Sequence, residues 1–191
     1  MNGVFVMSKL SWFLNLAVAM VLLSGGLLTA GCQAPDDKPV MTAQQVIDMP
    51  LEKNVVGVVA YYPSANPWIW TENRSRARGI VINALYLEGP NVSGVFGDGV
   101  IRPQLYVLDR SRGKRIEPVL VKEWSFDPRQ AMPFRSKKRT IMGHGYRFHL
   151  IWGDDFDLTG KDIRVVVIFE RVDGKIIHSG KKDFRVPKGE S

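Results

Sequence analysis

The sequence contains a single cysteine, Cys32, so no disulfide can form within one chain. Histidine is scarce as well: there are three, scattered along the chain, whereas a zinc site needs three or four ligands at suitable spacing. The G-x-S-x-G motif that exposes the serine of many hydrolases is missing. These absences argue against a disulfide scaffold, a zinc domain and that class of hydrolase, and they predict no cofactor.

The remaining patterns also argue against catalysis. Gly94, Gly97 and Gly99 are followed by a predicted strand, whereas a phosphate-binding loop leads into a helix. Asp154 and Asp155 are adjacent, so on an extended backbone they point in opposite directions and cannot share a proton. The sequence therefore predicts a protein that is not an enzyme.

The first 31 residues differ in composition from the rest. No charged residue occurs from Leu10 to Ala30, and Lys9 is the only charge before that run. The run is long enough to cross a bilayer, but it also fits the apolar region of a signal peptide. Ser24-Gly25-Gly26 would interrupt a membrane helix near its centre, which favours a signal peptide. Its basic region is most compact if translation begins at Met7 rather than Met1.

Cys32 ends the sequence LLTAGC, which resembles the lipobox of bacterial lipoproteins. The resemblance implies that residues 1–31 are removed and that Cys32 carries acyl chains such as palmitate. It also places the protein in the cell envelope with the membrane as a partner, and Gln33 favours the outer membrane in a Gram-negative cell. The alternative is an uncleaved anchor helix followed by an incidental cysteine.

Residues 32–50 are expected to form a tether with a short helix. Gln33–Pro39 has two prolines and two aspartates and little apolar surface to bury, which predicts an extended leash. Thr42 and Gln45 have the spacing of a capping box, which would begin a helix that ends before Pro50.

Residues 51–188 are expected to form one β-sandwich domain. Seven apolar runs are separated by short turns, and no long amphipathic helix interrupts them. In the run GYRFHLIW, for example, Tyr146, Phe148, Leu150 and Trp152 alternate with polar residues. The sequence therefore predicts an all-β fold, a single antiparallel sandwich of about seven strands.

A stretch of 30 residues near the end of this region, LTGKDIRVVVIFERVDGKIIHSGKKDFRVP, resembles the closing hairpin of immunoglobulin-like and fibronectin-like domains. The whole chain is similar to small bacterial lipoproteins that carry one such sandwich. This resemblance implies an immunoglobulin-like domain, although the Cys…Trp…Cys pattern of antibody domains is missing.

A ligand-binding loop is predicted at NPWIWTENRSRAR. Trp68 and Trp70 lie there among prolines and close to Arg74, Arg76 and Arg78. Aromatic side chains near positive charge can stack on sugar rings or contact a partner protein. The competing interpretation is that the two tryptophans fill the open end of the sandwich, because large aromatic residues are usually buried.

A weak calcium motif occurs in DDFDLTGKD. Asp155, Asp157 and Thr159, followed by Gly160, match the start of a calcium loop. The twelfth position, where a bidentate acid is expected, holds Val166. An acidic turn that leads into a strand is the simpler interpretation, and no metal is predicted.

The formal net charge of +7 is compatible with anionic partners, although a modest positive charge is more often simply a solvated surface. Candidates are a wall polymer, a lipid headgroup or an envelope protein, and RSKKR at 135–139 is one basic cluster that could bind phosphate. Nucleic acid is not expected at an exported domain. We therefore expect a lipid-anchored envelope sandwich with a binding or structural role; the alternative is an enzyme or accessory subunit that acts on wall polymer or glycan through the Trp68/Trp70 loop.

Overall fold

The computed structural model describes residues 40–109, 117–153 and 156–189. The predicted signal peptide, translation start and lipidated Cys32 lie outside these residues, as does Asp155 of the calcium motif. Among the residues described, no helix is both long enough and apolar enough to cross a membrane.

The described part of the chain forms two antiparallel β-sheets packed face to face, so the predicted all-β sandwich is confirmed. It also contains one α-helix, α1 (Ala43–Ile47), and one 3₁₀ helix (Met132–Phe134). The first sheet consists of β1 (Gly57–Tyr61), β2 (Trp68–Trp70), β3 (Ala77–Glu88), β4 (Gly94–Val95) and β7 (Tyr146–Ile151). The second consists of β5 (Gly99–Asp109), β6 (Glu117–Glu123), β8 (Asp162–Arg171), β9 (Ile176–His178) and β10 (Lys182–Arg185).

The long strand β3 organises the first sheet. Its N-terminal half pairs with β2 on one side and with β7 on the other. Its C-terminal half pairs with β1 and β4. Leu85 pairs with both β1 and β7, and Ile80 pairs with both β2 and β7, so β1 and β2 lie along the edge of β3 opposite to β7. Leu87 pairs with both β1 and β4, which places β4 on the same edge as β7.

The second sheet has β8 and β5 at its centre. These two strands pair from Gly99 opposite Arg171 to Val107 opposite Ile163. On the far side of β8 lie β9 and β10, and on the far side of β5 lies β6. Most of β6 is exposed, and it contains Pro118, which lacks a backbone N–H. An edge strand tolerates a proline, because one side of it needs no backbone hydrogen bond. Pro103, in contrast, lies in the central strand β5, opposite Val167.

The core is formed by the inward residues of both sheets, and β7 shows the pattern most clearly. Tyr146, Phe148 and Leu150 are buried, whereas Arg147 and His149 between them are exposed. This is the alternation that the sequence predicts. Opposite β7, strand β8 contributes buried residues to the same core, namely Ile163, Val165, Val167 and Phe169.

A regular period of two in GIVINALYLEG would place Ile82 and Ala84 on the same face of β3, but the strand departs from this period beyond Ile82. The register against β7 shifts between Ile82 and Leu85, which marks a bulge at Asn83 and Ala84. Because two residues occupy the bulge, Leu85 returns to the core side, and Leu87 follows it. Asn83 is exposed on the outer side of the sheet.

Helix α1 confirms the predicted capping box. The Thr42 hydroxyl accepts a hydrogen bond from Gln45 N at 3.2 Å, and the Gln45 side chain accepts one from Thr42 N at 2.8 Å. The helix ends at Asp48, before Pro50. Val46 is its one buried residue and attaches this short helix to the core.

The predicted number of strands is too low: there are ten in the described residues rather than about seven. Two of the additional strands, β2 and β4, have only three and two residues. The third arises because the last predicted strand is divided into β9 and β10. Such short segments carry too few residues to show a period of two.

Candidate functional site

The two tryptophans of the predicted ligand-binding loop lie in strand β2, so the expected loop is wrong. Trp68 pairs with Ile80 and Trp70 pairs with Ala77, both of which are buried. Since paired residues of neighbouring strands share a face, both indoles lie on the core side of the sheet. They are half-buried, and the Trp68 ring meets the Phe184 ring edge-on at 5.8 Å between centroids.

The three arginines of the same prediction have different surroundings. Arg74 is exposed in the turn between β2 and β3 and has a φ of 52°. Arg76 directly precedes β3 and Arg78 is its second residue; both are half-buried. Since the indoles pack against the core and Arg74 lies in the turn, the five residues do not form one open surface.

The calcium motif forms a local turn at the residues that are described. Asp157 is exposed, and its carboxylate accepts a hydrogen bond from Thr159 N at 2.9 Å. Hydrogen bonds from Thr159 hold the pKa of Asp157 below its usual value. Gly160 has a φ of +68°, which suits a glycine in a turn. No group of three or more potential metal ligands occurs among the described residues.

A groove of about 640 Å³ lies on the outer side of the first sheet. One wall is formed by the outward residues of β3 and β7, including Asn83, Arg147 and His149. The other wall is the segment from Pro133 to Thr140, and Val40 lies at the margin. None of the residues that line the groove is acidic, whereas four of them are Lys or Arg: Arg135, Lys137, Lys138 and Arg147.

Arg135 is the buried cation of the groove, with 7% of its surface exposed. Its Nη1 donates a hydrogen bond to the carbonyl oxygen of Val46 at 2.9 Å, and its guanidinium lies 4.4 Å from the centre of the Phe96 ring. Its Nε is buried and has no hydrogen-bond partner among the described residues. Because no acidic residue is among those that line the groove, this buried cation adds positive potential to it.

Tyr146 also lines the groove, and its hydroxyl accepts a hydrogen bond from Gly97 N at 3.2 Å. Burial raises the pKa of Tyr146 to about 12, from an ordinary value of 10.0. As the pH rises, the Tyr146 hydroxyl loses its proton in the unfolded chain before it does so in the folded protein. The contribution of this hydroxyl to the free energy of unfolding is therefore complete below pH 10.0 and is lost as the pH rises toward about 12.

We therefore expect Tyr146→Phe to reduce the decline of stability at alkaline pH. The measurement is the urea midpoint at about pH 9 and at about pH 11, on either side of the ordinary tyrosine pKa. Tyr61→Phe, which changes a half-exposed tyrosine, is the control and should decline as the wild type does. An equal decline in Tyr146→Phe and the wild type would contradict the expectation.

Arg147 and Lys137 are exposed cations at the rim. Arg147 Nε donates a hydrogen bond to the carbonyl oxygen of Asn83, in the β3 bulge, at 3.3 Å. Its two terminal nitrogens make no hydrogen bond to any residue that the structure describes. A guanidinium held in this way can donate two parallel hydrogen bonds to one phosphate or carboxylate.

The basic cluster at 135–139 is visible in the sequence, but the groove is not. Arg147 and His149 join the cluster only because β7 lies beside the 133–140 segment, where Ser136 N donates to the carbonyl oxygen of Gly145 at 2.8 Å. The one feature of the sequence that indicates a surface role for Arg147 and His149 is that both take outward positions in the alternation of β7. What the arrangement offers chemically is a cationic surface that can bind an anion.

No protein-family model, curated protein or solved structure matches this chain. The assignment of a function therefore depends on the geometry of the groove and on the pattern around Cys32.

Proposed function

We propose that the chain is an exported, lipid-anchored β-sandwich that binds an anionic component of the cell envelope and catalyses no reaction. The observation that carries the binding role is the groove, where four Lys and Arg residues meet without an acidic residue in the lining. Positive charge in a concave surface raises the local concentration of anions.

The anchor is supported by the pattern around Cys32. An apolar run that small residues interrupt precedes LLTAGC, and a polar, proline-containing tether follows it. Several acyl chains on one residue hold a protein on a bilayer stably, since each buried methylene contributes about 0.8 kcal/mol. The first described residue, Val40, lies eight residues after this cysteine, so the anchor is close to the sandwich in the sequence.

The alternative is an enzyme or accessory subunit that acts on wall polymer or glycan through Trp68 and Trp70. That function requires indole faces that are accessible to a sugar ring. Both indoles lie on the core side of β2, and Trp68 already contacts Phe184. The groove instead offers exposed cations, Lys137 and Arg147, and we therefore favour the first proposal.

Cys32→Ser should abolish incorporation of labelled palmitate, because the hydroxyl cannot form the thioether bond to the lipid. The measurement is metabolic labelling of cells followed by gel electrophoresis, together with separation of membranes from soluble protein. We expect no label in Cys32→Ser and a mobility different from that of the mature wild type.

Ser24→Ala is the matched control, because it changes a small residue in the same leader and keeps the thiol. It should incorporate label as the wild type does. If Cys32→Ser still carries label, or stays in the membrane at the mass of the mature wild type, the anchor is not at this residue.

A further inference from the structure

The end of the tether is attached to the cationic groove. Val40 lines the groove, and the next residue, Met41, donates a backbone hydrogen bond to the carbonyl oxygen of Lys137 at 3.0 Å. Cys32 lies eight residues before Val40, and an extended chain of that length reaches no more than about 29 Å. Once Cys32 is anchored, this length keeps the groove within about 29 Å of the membrane that holds the lipid.

Exposed aliphatic side chains lie on the same side of the domain. Ile141 is 91% exposed and follows Thr140, which lines the groove; Val40 is 67% exposed. Aliphatic side chains next to cations are typical of protein surfaces that lie in a membrane interface, where the aliphatic groups enter the headgroup layer and the cations meet phosphates.

The cations of the groove have the chemistry for a phosphate. Arg147 offers two terminal nitrogens in a planar fork, and Lys137 offers an exposed ammonium on the opposite wall. No lining residue supplies a carboxylate that would repel the ligand. The buried charge of Arg135 strengthens the same positive field.

We propose that the groove binds the phosphate of an anionic phospholipid headgroup in the membrane that holds the Cys32 anchor. The sandwich is then held against the bilayer at two points, by the lipid on Cys32 and by the groove, with Ile141 in the headgroup layer. This inference rests on the proposed lipid anchor, because the anchor keeps the groove close to the headgroups.

The test uses the full lipoprotein reconstituted in vesicles. Since the lipid occupies the only native thiol, Ile141→Cys introduces one labelling site, and a fluorophore there reports contact with lipids that carry a quencher. We expect strong quenching in vesicles of equal parts phosphatidylglycerol and phosphatidylcholine, and weak quenching in pure phosphatidylcholine. A label at Ile176→Cys should show weak quenching in both, because Ile176 is exposed on β9 of the opposite sheet.

Charge variants identify the binding residues. In the Ile141→Cys background, Lys137→Gln with Arg147→Gln should lower the ratio of docked to undocked domain on the order of tenfold or more. Lys175→Gln with Lys181→Gln removes the same charge from exposed positions beside β9 and should leave the quenching unchanged. Equal loss in the two pairs, or no loss in the groove pair, would overturn the proposal.

Two further measurements separate the possible explanations. Flotation of the vesicles measures membrane attachment through the lipid anchor alone. Protein that floats with the vesicles but shows no quenching therefore refutes headgroup binding and supports the anchor. Protein that fails to float refutes the anchor instead. Inorganic phosphate added at constant ionic strength should not release the label from the bilayer; release at low concentration would show that the groove takes free phosphate and would overturn the headgroup assignment.

Discussion

Phe148→Ala should lower the free energy of unfolding by about 3–5 kcal/mol, as expected when a buried aromatic ring is deleted. Phe148 is fully buried in β7. Its ring lies 4.9 Å from the ring of Phe126 and 4.8 Å from that of Phe134, between centroids. These neighbours belong to the segment that connects β6 to β7, so the ring joins the sheet to the wall of the groove. A methyl group cannot maintain either contact.

The measurement is equilibrium unfolding in urea or guanidinium chloride, monitored by two spectroscopic signals to test for two-state behaviour. His149→Ala is the matched control, because it changes the next outward residue of the same strand. Its effect should stay within about 0.5 kcal/mol, as for most exposed substitutions. A loss below about 1 kcal/mol in Phe148→Ala would show that the aromatic cluster is not packed as described.

Gly143→Ala should lower the free energy of unfolding by more than about 2 kcal/mol, because strain and steric overlap act together. Gly143 has a φ of +101°, which a residue with a side chain rarely adopts. A Cβ at this position would lie 2.5 Å from both the nitrogen and the carbonyl oxygen of Gly94. Both contacts are with backbone that is hydrogen-bonded to residues 142 and 144, so neither can move at small cost.

Two other glycines serve as matched controls for the two effects. Gly174 has a φ of +81° but nothing within 4 Å of an added Cβ, so Gly174→Ala should show the strain alone, about 1 kcal/mol. Gly180 has an open surrounding and no positive φ, so Gly180→Ala should lie within about 1 kcal/mol of the wild type. If Gly143→Ala lowers the free energy of unfolding no more than Gly174→Ala does, the contact between residue 143 and Gly94 is loose.

The parts of the fold that could be predicted from sequence are those with a local signal. The alternation in β7 is complete from Tyr146 to Ile151, and the capping box needs only Thr42 and Gln45. In both cases the residues that determine the structure are neighbours in the chain. The two-sheet arrangement followed from the number and spacing of such runs.

The bulge in β3 and the short strands could not be predicted because they depend on partner strands. Asn83 and Ala84 fit a regular period of two in the sequence, and only the pairing with β7 shows that the register shifts there. Similarly, Trp68–Trp70 forms a strand because β3 supplies the hydrogen bonds. In isolation, the same three residues between prolines and polar residues resemble a loop.

The groove could be predicted only in part. Lys137 and Lys138 belong to a cluster of basic residues in the sequence, but Arg147 and Asn83 come from two different strands. Three separate segments converge there because β3 and β7 pair and the 133–140 segment runs beside β7. Val40 lies at its margin, where Met41 N donates a backbone hydrogen bond to the carbonyl oxygen of Lys137, a contact that no pattern of residue types indicates.

That hydrogen bond also lies on the path by which a force on the N-terminal segment would enter the domain. A pull between a lipid on Cys32 and a partner on the sandwich would act first on the bond from Met41 to Lys137 and then on α1, which is held by buried Val46 and by Arg135. The load would reach the 135–137 segment before it reached the paired strands. The proposed lipid anchor would therefore place any tension on the cationic wall of the groove.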